Sequence, residues 1–301
     1  MERQPRENTG MCNQLFVNLL RSVVHTPAGI RILSLTRWLY RYHPQDWFEV
    51  NHLRLDLPRL PAAFDGYRLT QISDLHLGTW LDREKLLAAI ERVNETDPDL
   101  IAITGDFVTY YSKQFLIDLE AGLCRLRARD GILAILGNHD HWTEPARIRA
   151  CLNACGVHVL QNEVVALTRG DAQLHIAGLD DVMVGKDDLD QVLSALPSDQ
   201  VGILLAHEPD IADRTSSTGR FALQLSGHSH GGQINLPGLG SLYLPSYGRK
   251  YPAGLQRLNG MLLYTNSGLG TAEIQFRFNS RPEITAFTLH TVKESTNPDS
   301  F

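Results

Sequence analysis

Leu100-Ile101-Ala102-Ile103-Thr104-Gly105-Asp106 is a short β-rich apolar run that breaks at a glycine and delivers a carboxylate just beyond it. Four other runs end in the same way. Tyr67–Ser73 leads into Asp74-Leu75-His76, Ile132–Leu136 into Gly137-Asn138-His139-Asp140, Val201–Ala206 into His207, and Phe221–Ser226 into Gly227-His228-Ser229-His230. Amphipathic stretches at Arg83–Glu95, Ser112–Arg127, Glu144–Ala154 and Asp187–Ala195 predict helices between them, and this alternation predicts an α/β fold. Two β-rich stretches between Val157 and Ala177, separated by Arg169-Gly170-Asp171, predict a hairpin. Gly231 to Gly254 reads as long surface loops, and Met261–Thr265 and Glu283–Leu289 as closing strands.

In an open α/β sheet, ligands bind beyond the carboxyl ends of the strands, so residues spread over the sequence can converge there. A single strand followed by Asp-x-His is more often an ordinary turn. Five strands that each deliver Asp, Asn or His at the same relative position point to a site. Mixed carboxylate, imidazole and amide donors suit Mn, Fe, Zn, Co or Ni better than Ca or Mg, which prefer oxygen shells. No cysteine belongs to the set, which argues against a structural zinc cage. Two divalent ions sharing a carboxylate can stabilise the attacking and leaving oxygens of a displacement at phosphorus. A water bridging them loses a proton near neutral pH, so hydroxide is available for the attack.

The 301 residues, 43% hydrophobic and 21% charged, suit a globular chain with a sizeable core. A net charge of -6 argues against nucleic acid as a partner. Cys12, Cys124, Cys151 and Cys155 form no CxxC pair and are read as reduced, packing thiols of a cytosolic protein. From Cys12 to Tyr42 the only ionised side chains are Arg21, Arg31, Arg37 and Arg41, set among large apolar residues. They interrupt every apolar run before the roughly 18 residues that a spanning helix needs. Residues 1–48 are therefore read either as amphipathic helices on the inner face of an anionic membrane or as a helical hairpin packed on the domain. A tail is expected over residues 291–301.

The ligand-bearing blocks resemble, in order and spacing, the signature of calcineurin-like metallophosphoesterases, over about residues 49–290. The resemblance implies a four-layer sandwich of two mixed β-sheets flanked by helices, with a dimetal site at one edge. It implies that Asp74, His76, Asp106 and His230 hold one metal, and that Asp106, Asn138, His207 and His228 hold the other. Manganese is the favoured ion, and Asp106 the bridge. His139 resembles the family histidine that contacts phosphate and protonates the leaving group, with Asp140 orienting ligands from behind. Many relatives carry an acidic partner for that histidine where this chain has Thr109, and often an Arg where it has Ser267.

A finer likeness lies in His228–Gln233, Lys250–Leu255 and Arg277–Glu283, which look like a bacterial phosphodiesterase branch that includes membrane-associated relatives. One group within it is similar to enzymes hydrolysing UDP-2,3-diacylglucosamine in lipid A synthesis. Arg277 and Arg281 are candidates for binding substrate phosphate, with surface or structural ion pairing the equal alternative. Asp180-Asp181 reads as a solvated turn, or else as support behind the ligands, and His141 as an exposed loop residue or else part of the pocket lining. The alternatives are a soluble phosphodiesterase for small or nucleotide substrates, and an idle scaffold of the same fold. A scaffold would be expected to lack His139 or a bridging ligand, and this chain has them all.

Overall fold

A computed structural model describes residues 47–272 and 274–292. The predicted N-terminal segment and tail lie outside these residues, apart from residues 47, 48, 291 and 292. Strands β1 (Glu49–Leu57), β2 (Tyr67–Ile72), β3 (Leu100–Thr104), β4 (Ile132–Ile135) and β5 (Val157–Val159) belong to one sheet. A second contains β6 (Glu163–Arg169), β7 (Ala172–Gly178), β8 (Gly202–Leu205) and β9 (Phe221–Ser226). A small hairpin, β10 (Asn235–Leu236) and β11 (Gly240–Ser241), precedes β12 (Gly254–Leu258), β13 (Met261–Thr265) and β14 (Glu283–Thr291). The sheet orders are β1-β14-β2-β3-β4-β5 and β12-β13-β9-β8-β7-β6. Both are mixed: β2, β3, β4 and β5 run parallel, as do β7, β8, β9 and β13, whereas β14 is antiparallel to β2.

Every residue of β3 is buried because both of its faces are covered. Leu100 and Ala102, with Leu133 and Ile135 of β4, point towards the second sheet, where they meet Ile203, Leu205 and Leu225. Ile101 and Ile103, one residue out of phase, face the helices α1 (Arg83–Glu95), α2 (Lys113–Leu123) and, beyond the short α3 (Asn138–Trp142), α4 (Pro145–Ala154). On the far side of the second sheet, α5 (Leu189–Ala195) and α6 (Ala212–Ser217) cover Leu204 and Leu263. These are the four layers expected. Asp82 and Ser112 cap α1 and α2 with their side-chain oxygens, and Pro145 opens α4.

Some expectations differ from the structure. The β-rich stretch from Val157 divides: β5 joins the first sheet beside β4, and only β6 and β7 form the hairpin. Strand β1 was not among those predicted, although its exposed His52, Arg54 and Asp56 alternate with inward leucines as a half-buried strand does. The thiol reading is corrected for two residues. Cys124 and Cys155, 31 residues apart at the ends of α2 and α4, form a disulfide. Sequence spacing could not show that those helix ends meet. Among the described residues no helix is long and apolar enough to cross a membrane.

Candidate metal centre

The ligand-bearing ends of β2, β3 and β4 in one sheet, and of β8 and β9 in the other, open on a common edge. Gln71 joins the sheets just behind it, donating to the Ser226 carbonyl at 2.9 Å. Past β2, β3 and β9 the backbone turns sharply, and Asp74, His76, Asp106, His228 and His230 all have positive φ. Non-glycine residues adopt this conformation at a cost, and its concentration at one edge marks a constrained site. Gly137 cannot be larger, since a Cβ would run into Asp106 Oδ1 and come within 2.8 Å of the Asp106 backbone nitrogen.

Potential ligand atoms gather in overlapping groups, Asp74 with His76 and His230, and Asp106 with His207 and His228. Asp106 Oδ2 lies between the groups, 3.4 Å from His76 Nε2 and 3.2 Å from His207 Nε2. His76 Nε2 and His230 Nε2 approach to 3.1 Å. The opposite ring nitrogens are held from behind: His207 Nδ1 by the Thr104 carbonyl at 2.6 Å, His228 Nε2 by the Ser246 carbonyl at 2.8 Å, and His76 Nδ1 by Thr109 Oγ1 at 2.7 Å. Carbonyl acceptors on one nitrogen put the proton there and leave the other nitrogen's lone pair for a metal. Asn138 Oδ1 is buried without a hydrogen-bond partner, at a cost of about 1–3 kcal/mol that a cation would remove. The donor set thus fits a pair of divalent ions.

Asp140 is buried beneath this centre. It accepts from the Phe107 and Gly137 backbone nitrogens at 2.9 and 3.0 Å, so it ties the loop carrying Asp106 to the one carrying Asn138. Burial, with Asp106 adding repulsion, pushes its carboxyl up to about 8. Burial works against the charge on Asp106, but His207 and His139 outweigh it and hold that carboxyl well below its usual range. The half-buried His139 ring stands edge-on to His76 and Trp142, at centroid distances of 4.8 and 5.0 Å. Burial lowers its pKa to about 4, helped by His76 and His207 and opposed by Asp106 and a hydrogen bond with the Thr109 backbone. Thr109 therefore touches His139 through its backbone, and its hydroxyl oxygen meets Nδ1 of His76.

Other candidates are placed differently from the expectation. Arg277 is buried, and its guanidinium donates to the carbonyl oxygens of Ser267, Gly268 and Gly270. It also lies 3.2 Å from His230 Nδ1. This is a clamp on the loop behind the candidate ligands. Arg281 lies 4.0 Å from Glu49, where β1 begins. Arg277→Ala is expected to lower unfolding stability by about 2–4 kcal/mol through the buried carbonyls it leaves unpaired, as chemical denaturation would measure. Unchanged stability with a raised KM would return Arg277 to substrate binding.

His141 and Asp180 also depart from their solvent-exposed readings. Both side chains are 3% exposed and paired at 2.7 Å, which ties α3 to the end of β7. Asp181 is buried beside Glu208, and burial followed by that neighbour's charge raises it to about 7. The sequence reading also missed the walls of a cleft of about 290 Å³ that opens on Asp106, Asn138, His139 and His228. Trp142, Met183, Ile234, Leu242, Tyr243 and Ile274 give it an apolar side. Trp142, three residues past His139, was the one available signal.

Two packed mixed sheets that present this donor set at one edge define a dimetal phosphoesterase. The chain belongs to the calcineurin-like phosphoesterase family, whose description matches residues 67–232, and that family is dimetal-dependent. It is 39% identical over 255 residues to the uncharacterized metallophosphoesterase YkuE of Bacillus subtilis, covering 83% of this chain and 88% of that one. It is 29% identical to the phosphodiesterase YaeI of Escherichia coli, covering 88% and 96%. It is 27% identical to the UDP-2,3-diacylglucosamine pyrophosphatase LpxG of Chlamydia trachomatis, covering 82% and 91%. The chain is a metal-dependent phosphoester hydrolase.

Proposed function

We propose that the chain hydrolyses the phosphodiester or pyrophosphate bond of a substrate that carries an apolar group, UDP-2,3-diacylglucosamine being one such molecule. The observation that carries this reading is the cleft, in which the ligand cluster adjoins the wall of Trp142, Met183, Leu242 and Tyr243. An acyl chain would remove that wall from water, to a larger extent than a nucleobase stacked on Trp142 or Tyr243 could. The activity named for LpxG is consistent with it.

In this reading Asp74, His76, Asp106 and His230 hold one ion, and Asp106, Asn138, His207 and His228 the other, with Mn²⁺ favoured by the mixed donors. Bound together, the ions supply Lewis acidity and hydroxide near neutral pH. Asp140 keeps the Asp106 and Asn138 loops in register. His139 serves the leaving group. Its low pKa leaves the free imidazole neutral at pH 7, and an anionic phosphate bound beside it favours the charged ring, so the ring takes up a proton from water as substrate binds and passes it to the leaving oxygen. The segment before residue 47 would hold the enzyme at an anionic membrane, each of its arginines contributing about 1 kcal/mol near the surface.

With Mn²⁺, the full chain is expected to cleave bis-p-nitrophenyl phosphate and to act on UDP-2,3-diacylglucosamine with a KM at least about tenfold below that for a UDP-sugar without acyl chains. Equal KM values would favour a small soluble substrate. No cleavage of any of these would favour the scaffold.

A further inference from the structure

His228 stands in the turn after β9, but the group that fixes its ring belongs to a different loop. The Ser246 carbonyl, which accepts from His228 Nε2 at 2.8 Å, lies in the stretch between β11 and β12. That stretch wraps the ligand turn closely. Ser229 Oγ donates to the Pro252 carbonyl at 2.6 Å, and a Cβ on Gly248 would stand 3.3 Å from His228 Cδ2. Residues 242–253 form no strand or helix, so their backbone groups need partners other than a ladder to keep one shape.

Asp210 supplies them. Its carboxylate accepts from three consecutive backbone nitrogens, those of Arg249 and Lys250 at 3.0 Å and Tyr251 at 3.2 Å. Its own backbone nitrogen donates to the Tyr247 carbonyl at 2.9 Å. Bonds to an ionised acceptor are about twice as strong as bonds between neutral groups, and here they hold a segment in which Tyr247 has a φ of 64°. Asp210 is also three residues past His207, in the short helical turn Pro209–Ile211. It thus joins the backbone beside one candidate ligand to the loop that orients another. His207 and His228 belong to the same ligand group, whereas His76 and His230 meet Thr109 and Arg277.

We propose that Asp210 is a positioning residue for the ion assigned to Asp106, Asn138, His207 and His228, a role that rests on the dimetal reading of the site. Asp210 fixes the loop, and the Ser246 carbonyl keeps the proton of His228 on Nε2. The lone pair of Nδ1 is then left for the ion. The effect of Asp210 falls on one ion of the pair, because the other group of ligands is braced elsewhere.

The test is calorimetric titration of the full, metal-free chain with Mn²⁺, for wild type, Asp210→Ala, Asp210→Asn and Asp213→Ala, with denaturation midpoints measured in parallel. Wild type is expected to bind two ions. Asp210→Ala should bind one of them as wild type does and the other about 10- to 100-fold more weakly, the range for losing a group that orients a ligand. Asp210→Asn, whose amide oxygen keeps part of the backbone contacts, should fall between, and it carries the same comparison if the alanine variant does not fold. Asp213 holds the same loop from outside, through the side chains of Lys250 and Tyr251, so Asp213→Ala should bind both ions as wild type. Wild-type affinities for both ions in folded Asp210 variants, or the same loss in Asp213→Ala, would overturn the proposal. Equal weakening of both ions would make Asp210 a general support of the fold and overturn it too. Fewer than two ions in wild type would instead overturn the dimetal reading, and this role with it.

Discussion

Asp106→Asn is expected to strip the purified protein of much of its metal and to lower hydrolysis by at least about 10³-fold, since several kcal/mol of charge stabilisation depend on the bridging carboxylate. The substitution is close to isosteric. Asp106 Oδ1 accepts from the His139 backbone nitrogen at 2.9 Å, and an amide oxygen can keep that bond. The Oδ2 position, which faces both His76 and His207, loses its negative charge. A neutral amide cannot offset two divalent charges in a buried site. Metal content by plasma mass spectrometry and turnover on bis-p-nitrophenyl phosphate measure the two effects, while an unchanged denaturation midpoint would show that the fold is intact. Wild-type values for both metal and turnover would remove the bridging assignment.

His139→Ala should behave in the opposite way towards the metals. The ions stay bound, and turnover falls by about 10² to 10⁴, the range for losing a general acid or base. The ring stacks edge-on against Trp142 and is half-buried, unlike the fully enclosed rings of His76 and His207. It is nevertheless close enough to His76 and Asp106 to complete a ligand group of its own. Loss of metal in this variant would therefore make His139 a ligand. A fall in turnover smaller than tenfold would indicate a proton source elsewhere, consistent with Thr109 standing where many relatives carry an acid.

How much of this was legible in the sequence depended on how local each signal was. β3 and α1 are found where their residues predict them because burial on both faces, in one case, and an Asp82 cap with a 3.6-residue apolar period, in the other, are written within a dozen residues. The ligand blocks were legible for the same reason: each is a strand end followed at once by a polar turn. Roles set by neighbours distant in sequence were not. Phosphate binding and structural pairing of Arg277 could not be told apart without the carbonyls of residues 267–270 that fold around it. His141 looks exposed until Asp180, 39 residues away, arrives beside it. The disulfide of Cys124 depends on two helix ends meeting, and the apolar cleft wall is assembled from loops that share no period.

The most direct test of the central claim, that one carboxylate holds two ions at this sheet edge, is electron paramagnetic resonance of the metal-free chain titrated with Mn²⁺, beside Asp106→Asn. The account predicts an exchange-coupled dimanganese signal in wild type, rising to about two ions per chain as hydrolysis rises with it, and no coupled signal in the variant. Full activity at one ion per chain, or an identical coupled signal in Asp106→Asn, would contradict it.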